Sequence, residues 1–317
     1  MRLSRGSGIE IKTPGQLATM REAGLVVAQT LAAVAAAAEP GISTRELDAI
    51  AERVISDAGA KPSFLGYHGY PATICTSVNN EIVHGIPSDR VRLAEGDVLS
   101  IDAGAIVGGW HGDAAVSIAI GEISAAAAAL VAACERALWA GIAAVAPGRR
   151  LTDVSWAIEK SALASGNGAD PEGRPPGAPR YGIVQEYTGH FIGSAMHMEP
   201  PVPNYGKPGR GPVLTEGMAM AIEPMLVLGD RHTRLLADDW TVVTADGSLA
   251  AHFEHTVAIT GDGPWVLTAA DGGQRGLADV AAWAAAGLAR PEIGGPPVGG
   301  PAGLEDELAR RTGARST

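Results

Sequence analysis

Cysteine, basic residues and aromatic residues are all scarce in this sequence of 317 residues. Its two cysteines, Cys75 and Cys134, are too few for a disulfide framework or for a zinc site built from several thiolates. The 24 Lys and Arg residues are outnumbered by 35 Asp and Glu residues. Since recognition of phosphates depends on clustered Lys and Arg, this balance argues against a general binder of nucleic acid or of anionic membranes.

The sequence also lacks a long hydrophobic run near its start. Residues 1–14 contain no apolar stretch typical of an export signal. The Ala-rich run 26–38 is interrupted by Gln29 and Thr30 and is too short to span a bilayer. We therefore expect a cytoplasmic protein without a membrane-spanning segment. Because 46% of the residues are apolar and 19% are charged, the chain can bury a large core.

A pair of helices is predicted near the N-terminus. Thr13 is the expected N-cap of a long helix that ends near Pro40. Ser43 and Glu46 form the capping box of a second helix, which ends near Gly59. Apolar residues recur at helical spacing in both segments, so each helix is expected to bury one face.

A second helix pair follows a strand-rich region. Residues 73–120 consist of short β-branched runs separated by Gly, Pro, Asn and Asp, which indicates a sheet. Helical spacing returns over 124–145 and 152–164, and a second strand-rich region covers 218–227 and 240–259. The order of elements in the first half is thus repeated in the second.

The repeated order suggests an internal duplication. Pro40-Gly41, which precedes one helix, recurs 107 residues later as Pro147-Gly148. We expect an α+β fold in which two pseudo-symmetric halves share an antiparallel sheet that is covered by helices. The predicted parts of the chain are a short N-terminal extension (1–11), one globular domain (12–267) and a C-terminal tail rich in Gly, Pro and Ala (268–317).

Two segments are expected to lack a packed core. The tail cannot bury enough apolar surface to offset its ordering entropy, so we expect it to be largely disordered, with one short helix over 277–288. The insertion 168–180 is rich in Pro and Gly and is expected to be a surface loop.

Two carboxylates are expected to meet in a hairpin of the first strand-rich region. Asp102 and Asp113 flank Gly108-Gly109 in an apolar frame. A loop at Val107-Gly108 pairs the two Asp residues directly, whereas a loop at Gly108-Gly109 makes them diagonal neighbours on the same face. In both cases their like charges repel, which would cost stability unless a cation sits between them.

Histidines and further carboxylates gather in the strand-rich regions. Glu223 and Glu254 each lie in an apolar strand, where a carboxylate is costly unless it is paired or bound to a metal. His232 stands apart from the other histidines. The remaining seven lie in or beside the strands: His68, His84, His111, His190, His197, His252 and His255.

Taken together, these residues predict a metal centre rich in oxygen ligands. The set comprises four carboxylates and one imidazole: Asp102, Asp113, Glu223, Glu254 and His190. Such a set suits two hard or borderline divalent ions, such as Mn, Fe, Co or Zn, and does not suit a structural zinc. Two ions held in this way can ionise a water and polarise a carbonyl, which is metal-assisted hydrolysis.

Short motifs follow one another through the sequence in the order Asn80-Glu-Ile-Val-His84-Gly-Ile-Pro87, Asp102, His111-Gly-Asp113, Gly189-His190-Phe-Ile-Gly193, His197-Met-Glu-Pro200, Ile222-Glu223-Pro224 and Glu254-His-Thr256. In this order they resemble type I methionine aminopeptidase, a family with the pita-bread fold. The resemblance runs from about Lys12 to Ile259. It implies removal of the N-terminal methionine from nascent polypeptides with a small second residue, with the ribosome as a possible place of encounter.

The resemblance also implies a role for each site residue. Asp102 would chelate one metal ion, His190 and Glu223 would bind the other, and Asp113 and Glu254 would bridge the two. His84 and His197 would contact the scissile peptide and stabilise the tetrahedral intermediate, and Glu223 would take part in catalysis.

The family further implies a pocket for the methionine side chain. Its expected lining consists of Tyr67, Tyr70, Cys75, Met196 and Trp240. An aromatic, sulfur-lined cavity suits a polarizable, unbranched thioether. Phe64 and Met196 stand where similar relatives often carry Cys and an aromatic residue.

Three other functions fit the sequence less well. Xaa-Pro peptidases share the fold and the ligands but usually have a separate N-terminal domain. Relatives that have lost ligands act as binding proteins, whereas all five ligand positions are present here. A nucleophilic hydrolase would need a G-x-S-x-G motif or a Cys paired with His and Asn. We expect a monomer that forms no stable complex with nucleic acid.

Overall fold

The computed structural model describes residues 8–167 and 181–285 of the chain. The predictions for residues 1–7, for the insertion 168–180 and for the tail from residue 286 lie outside the described residues.

Both predicted helix pairs are confirmed. Thr13 and Gln16 form a capping box at the start of the first helix, and Ser43 and Glu46 form the predicted one at the start of the second. The helices are α1 (Pro14–Ala37), α2 (Thr44–Asp57), α3 (Ala125–Ala143), α4 (Leu151–Asn167) and α5 (Gln274–Ala285), and a 3-10 turn covers Tyr67–Gly69.

The strands are short except for one long hairpin. They are β1 (Lys61–Pro62), β2 (Ile74–Val78), β3 (Glu81–Val83), β4 (Val98–Val107), β5 (Trp110–Ala119), β6 (Gly182–Ile183), β7 (Gly189–Phe191), β8 (Met198–Val202), β9 (Ala219–Ile222), β10 (Met225–Val227), β11 (Thr233–Leu235), β12 (Val242–Thr244), β13 (Ala250–His252), β14 (Glu254–Thr260) and β15 (Gly263–Val266).

One large sheet joins the two halves of the chain. Its strand order is β1-β4-β5-β14-β9-β7-β8, with β2 added beside β4 and β15 beside β14. Two three-stranded sheets, β13-β10-β6 and β11-β12-β3, complete the strand layer. All these pairs are antiparallel, and the helices pack against the large sheet in two main core clusters. The predicted α+β architecture with a shared antiparallel sheet is confirmed.

The register of the β4–β5 hairpin decides between the two alternatives for the aspartates. The loop consists of Gly108 and Gly109, whose φ angles of 56° and 84° suit the two-residue turn that hairpin twist favours. Asp102 therefore pairs with Ala115, while Asp113 pairs with Gly104. The two carboxylates are diagonal neighbours, and the alternative of a directly opposed pair is wrong.

A close approach of α1 fixes this hairpin in place. A Cβ atom on Gly24 would lie 2.2 Å from the carbonyl oxygen of Leu267, and one on Gly112 would lie 2.8 Å from the amide nitrogen of Gly24. Only residues without a side chain allow the helix backbone to pack so near the strand. Because Gly112 directly precedes Asp113, this contact anchors one of the predicted ligands.

Among the described residues, two helices are long and apolar enough to cross a membrane by length and composition, namely α1 and α3. Both bury a face in the core of the protein, where Met20 and Val27 of α1 and Leu130 and Leu138 of α3 are fully or almost fully buried. In this fold they are core helices that cover the sheet.

The short helix expected after residue 268 is confirmed as α5, which begins three residues earlier than predicted. Val280 is buried in the core cluster of the second half, and Leu277 and Trp283 pack against the same cluster. This spacing of three residues places all three side chains on one face of α5. The packed part of the chain therefore continues beyond residue 267.

Candidate active site

One cavity of about 280 Å³ brings together every residue that the sequence analysis selected for the site. Tyr67, Tyr70, Cys75, His84, Asp102, Asp113, His190, Met196, His197, Glu223, Trp240 and Glu254 all line it, together with Phe64, His68, Val83 and His252. The cavity has two chemically different parts. We call the four carboxylates with His190 the carboxylate cluster, and Phe64, Tyr67, Tyr70, Cys75, Met196 and Trp240 the aromatic wall.

Strand register places three members of the carboxylate cluster. Asp102 on β4 and Glu254 on β14 both pair with Ala115, so the three residues form one row across adjacent strands. Asp113 is held by Thr256, whose Oγ1 accepts a hydrogen bond from its amide at 3.0 Å and donates one to its carbonyl at 2.8 Å. The two halves of the chain thus meet at these carboxylates.

The other two members come from the second half alone. His190 on β7 pairs with Ala221 on β9, and Glu223 follows the last residue of β9. His190 Nε2 lies 3.5 Å from Glu223 Oε1, and its Nδ1 lies 3.0 Å from the carbonyl oxygen of Phe191. Since a carbonyl can only accept, Nδ1 carries the hydrogen and Nε2 presents a lone pair to the cavity. This is the arrangement of a metal-binding histidine.

Burial dominates the electrostatics of the carboxylate cluster. It raises the pKa of Asp102 to about 7, and it raises the pKa values of Asp113, Glu223 and Glu254 well above their usual range. Neighbouring carboxylates raise the last three further. Burial also lowers the pKa of His190 to about 3, with His197 adding to this effect, so the imidazole is neutral at pH 7.

Unpaired buried oxygens show that these residues fit divalent cations. Within the described ranges, Asp102 Oδ1, Asp113 Oδ1 and Glu254 Oε1 are buried without a hydrogen-bond partner. One ligand atom each of Asp113, His190 and Glu254 lies within 4.8 Å of the other two. Burying unpaired carboxylates is costly, and cations among them would remove this cost. The donor set matches the predicted preference for hard or borderline ions.

His84 and His197 lie where the carboxylate cluster meets the aromatic wall. The ring centroid of His197 is 4.3 Å from that of His190, and its Nδ1 is 2.8 Å from the hydroxyl oxygen of Tyr67. His84 has a φ of 61° and packs edge-on against Trp240 at 6.0 Å. Burial lowers the pKa of His84 to about 4 and also lowers the pKa of His197. Both imidazoles are therefore neutral at pH 7.

The aromatic wall forms a separate small cluster of its own. Phe64, Tyr70, Cys75 and Met196 are buried, whereas Tyr67 and Trp240 are partly exposed. Tyr70 packs edge-on against Trp240 at 5.0 Å, and its hydroxyl lies 3.1 Å from two backbone carbonyls, which accept its hydrogen bond. Burial raises the pKa of the Cys75 thiol, so it stays protonated.

The structure adds residues to the site that the sequence analysis did not assign. His68 and His252 line the cavity, whereas the sequence pattern only places them in or beside the strand-rich regions. A signal for His252 is present in the sequence, because it lies only two residues before the predicted ligand Glu254. His111 and His255 belong to the same regions but do not line this cavity: His111 contacts Ser63, and His255 packs against Trp139.

Comparison with known proteins gives a consistent result. The model of metallopeptidase family M24 matches residues 18–261. The chain is 55% identical over 257 residues to methionine aminopeptidase 1 of Mycobacterium tuberculosis, covering 81% of this chain and 94% of the relative. It is 47% identical to methionine aminopeptidase 1 of Bacillus subtilis, covering 81% and 98% of the two chains.

Solved structures agree on the fold. The crystal structure of methionine aminopeptidase from Thermotoga maritima matches with a TM-score of 0.77 and 39% identity, over 82% of this chain and 99% of that one. Prolidase from Pyrococcus furiosus matches with a TM-score of 0.63 and 21% identity, over 82% and 65% of the two chains, which shows the fold alone. The expected pita-bread fold is confirmed.

Proposed function

The chain belongs to metallopeptidase family M24, and from this premise we propose that it removes the N-terminal methionine from polypeptides whose second residue is small. The observation that carries the proposal is the single cavity in which buried, unpaired carboxylates adjoin an apolar, sulfur-containing wall. The first part suits hydrolysis assisted by divalent ions, and the second suits an unbranched thioether.

In this proposal the carboxylate cluster would hold two divalent ions. Asp102 would hold one ion, His190 and Glu223 would hold the other, and Asp113 and Glu254 would serve both. When bound, the ions supply Lewis acidity and lower the pKa of a water. Mn, Fe, Co and Zn all suit four carboxylates and one neutral imidazole.

His84 and His197 act on the substrate. In this scheme Tyr67 donates its hydroxyl hydrogen to Nδ1 of His197, 2.8 Å away, and the Nε2–H of that ring is then the donor to the substrate. Negative charge develops on the peptide oxygen when the carbonyl carbon is attacked, and donors already in place stabilise it. Because both imidazoles are neutral, they can offer this hydrogen bond without bringing positive charge to the ions.

Glu223 carries the proton in this scheme. Hydrolysis forms a bond between the water oxygen and the carbonyl carbon and breaks the bond to the leaving nitrogen, which must receive a proton. A carboxylate at the site of attack can accept a proton from the water and pass it to the leaving nitrogen. Glu223 therefore has two functions, as a ligand and as the proton carrier.

The aromatic wall selects methionine. Its side chain is unbranched and can thread between Tyr67, Tyr70 and Trp240, whereas a β-branched residue would force a methyl group into the wall. His84 and His197 crowd the position of the second residue, so Ala, Gly and Ser are accepted and bulky residues are not.

We further propose that the substrates are nascent polypeptides at the ribosome and that the protein acts in the cytoplasm as a monomer.

Four peptides test the three parts of the proposal side by side. We expect Met-Ala-Ser to release methionine, and we expect Val-Ala-Ser, Met-Leu-Ser and acetyl-Met-Ala-Ser to be poor substrates. Comparable turnover of the Val peptide would contradict the role of the aromatic wall, and turnover of Met-Leu-Ser would contradict the crowding argument. Cleavage of the acetylated peptide would contradict aminopeptidase action. Ala-Pro-Ser is the matched probe for an Xaa-Pro aminopeptidase and is expected to stay intact.

A further inference from the structure

His252 is a buried histidine in the cavity to which the scheme above gives no role. Only 1% of the residue is exposed. Within the described part of the chain its Nε2 is buried without a hydrogen-bond partner and lies 3.7 Å from Glu223 Oε2. A buried polar atom without a partner is costly, so its placement beside a carboxylate calls for an explanation.

The fold holds the backbone of His252 with buried side chains. Ser117 Oγ accepts a hydrogen bond from the His252 amide at 2.8 Å and donates one to its carbonyl at 2.9 Å. Because the Ser117 proton is used in this way, Ser100 must be the donor in the 2.7 Å contact between the two hydroxyls. Ser100 and Ser117 belong to the hairpin that carries Asp102 and Asp113. His252 is thus fixed relative to the carboxylate cluster.

Two imidazoles flank the two oxygens of Glu223. His190 Nε2 lies 3.5 Å from Oε1, and His252 Nε2 lies 3.7 Å from Oε2. Their roles differ, because the Nδ1–H of His190 is used by a carbonyl and its Nε2 offers a lone pair. An ionised Glu223 that binds a cation through one oxygen has a second oxygen that needs a donor. A neutral imidazole has one N–H to donate, and the Nε2 of His252 is the nitrogen that faces this oxygen.

We propose that His252 is a positioning residue for Glu223: its Nε2–H donates to Oε2 and so leaves Oε1, the oxygen beside His190, for the metal ion. The distance of 3.7 Å exceeds a hydrogen bond by a few tenths of an ångström, a gap that a small rotation of the Glu223 side chain would close. Mutation of a group that orients a metal ligand typically lowers metal affinity by about 10–100-fold. This inference rests on the proposed metal site.

The test compares three variants with the wild-type chain, all full-length and freed of metal with a chelator. Calorimetric titration with Mn²⁺ gives the affinity of the chain for each ion. The visible spectrum of the Co²⁺-loaded protein reports which side chains bind the Co²⁺ ions. His252→Leu should lower the affinity of the chain for one of the two ions by about 10–100-fold. His252→Gln should stay within about threefold of wild type with an unchanged Co²⁺ spectrum, because its carboxamide N–H can replace the donor. His255→Leu changes a half-buried histidine outside the cavity, so it is the matched control and should leave both affinities unchanged.

Three results would overturn the inference, and they are distinguishable. Wild-type affinity for both ions in a folded His252→Leu chain would show that the donor is not needed. Loss of affinity in His252→Gln with an altered Co²⁺ spectrum would make His252 a ligand. A wild-type chain that binds no Mn²⁺ would overturn the proposed metal site as well. If His252→Leu does not fold, as judged by circular dichroism, His252→Phe replaces it with a ring that has no nitrogen.

Discussion

The carboxylate cluster and the aromatic wall share one cavity but differ in whether their buried polar atoms have hydrogen-bond partners. In the wall, the Tyr70 hydroxyl finds two backbone carbonyls and the Cys75 thiol stays neutral. In the cluster, buried oxygens of Asp102, Asp113 and Glu254 have no hydrogen-bond partner within the described residues. The wall is complete without a ligand, whereas the cluster needs cations. We therefore expect changes in the cluster to abolish the chemistry and changes in the wall to adjust it.

The largest effect is expected from removing a bridging carboxylate. Asp113→Ala should lower methionine release by more than about a thousandfold and lower the number of bound ions, because the like charges of the ions lose a shared counter-charge. Elemental analysis and a peptide assay measure the two quantities. Glu216→Ala removes an exposed carboxylate and serves as the control. If the Asp113→Ala chain were active and bound as much metal as the wild type, the carboxylate cluster would not be the part of the cavity that carries the chemistry.

His197, which lies between the two parts, should affect the reaction without affecting the metal. His197→Ala is expected to lower kcat by about two to three powers of ten, the range for loss of one group that stabilises a tetrahedral intermediate. Metal content should stay at the wild-type level. If metal content falls in step with activity, His197 belongs to the carboxylate cluster as a ligand.

The pH dependence of metal binding tests the carboxylate cluster alone and needs no mutation. Burial raises the pKa of Asp102 to about 7, so below pH 7 a proton occupies the oxygen that a cation needs. Metal affinity should therefore rise with pH by at least about tenfold per pH unit below pH 7, because the raised pKa values of Asp113, Glu223 and Glu254 add further protons that must leave. His190, with a pKa of about 3, releases no proton in this range. Calorimetric titrations from pH 5 to pH 8 measure this, and a flat profile would contradict it.

The same pKa shift has a consequence for the stability of the metal-free chain. A raised carboxyl pKa in the folded state means that the folded chain holds a proton that the unfolded chain has lost. The contribution of Asp102 to stability is therefore present at low pH and lost as the pH rises through 7. The gain in melting temperature on adding Mn²⁺ should increase over the same interval.

The smallest effect is expected from the hydroxyl of Tyr67 in the aromatic wall. Tyr67→Phe removes the hydrogen bond to His197 Nδ1, which is worth about 1 kcal/mol and so about fivefold in kcat. Metal content and the preference for methionine should not change, because the ring remains. Steady-state kinetics with Met-Ala-Ser and Val-Ala-Ser checks both. A loss as large as that of His197→Ala would mean that Tyr67 itself acts on the substrate.

The hairpin shows how far local pattern can predict a site. A two-residue glycine loop allows only a small slip, so the sequence could place Asp102 and Asp113 on one face even though it left two registers open. The second half offers no such constraint. His190 and Glu254 lie on strands whose partners are distant in sequence, and pairings of this kind cannot be deduced from residue periodicity. The cost of burying their charges suggested that these residues form one set, but only the resemblance to a family implied a role for each of them.

The aromatic wall was beyond prediction from pattern for a different reason. Tyr67 belongs to a 3-10 turn in which His68 has a φ of 47°, and Trp240 comes from a loop between short strands in the other half. Neither segment has a helical or strand periodicity from which the direction of its side chain could be predicted. The sequence predicts no role for His252, because that role depends on the distance to Glu223, which follows β9 and is distant in sequence.

The most direct test of the account is to follow metal binding and methionine release together. The full-length chain is freed of metal with a chelator, and Mn²⁺ is added stepwise in the presence of Met-Ala-Ser. We predict that two ions bind per chain, that methionine release is absent without metal and returns as the sites fill, and that Glu254→Ala neither binds two ions nor releases methionine. Undiminished release by the metal-free chain, or by Glu254→Ala, would contradict the claim that the carboxylate cluster carries out the chemistry.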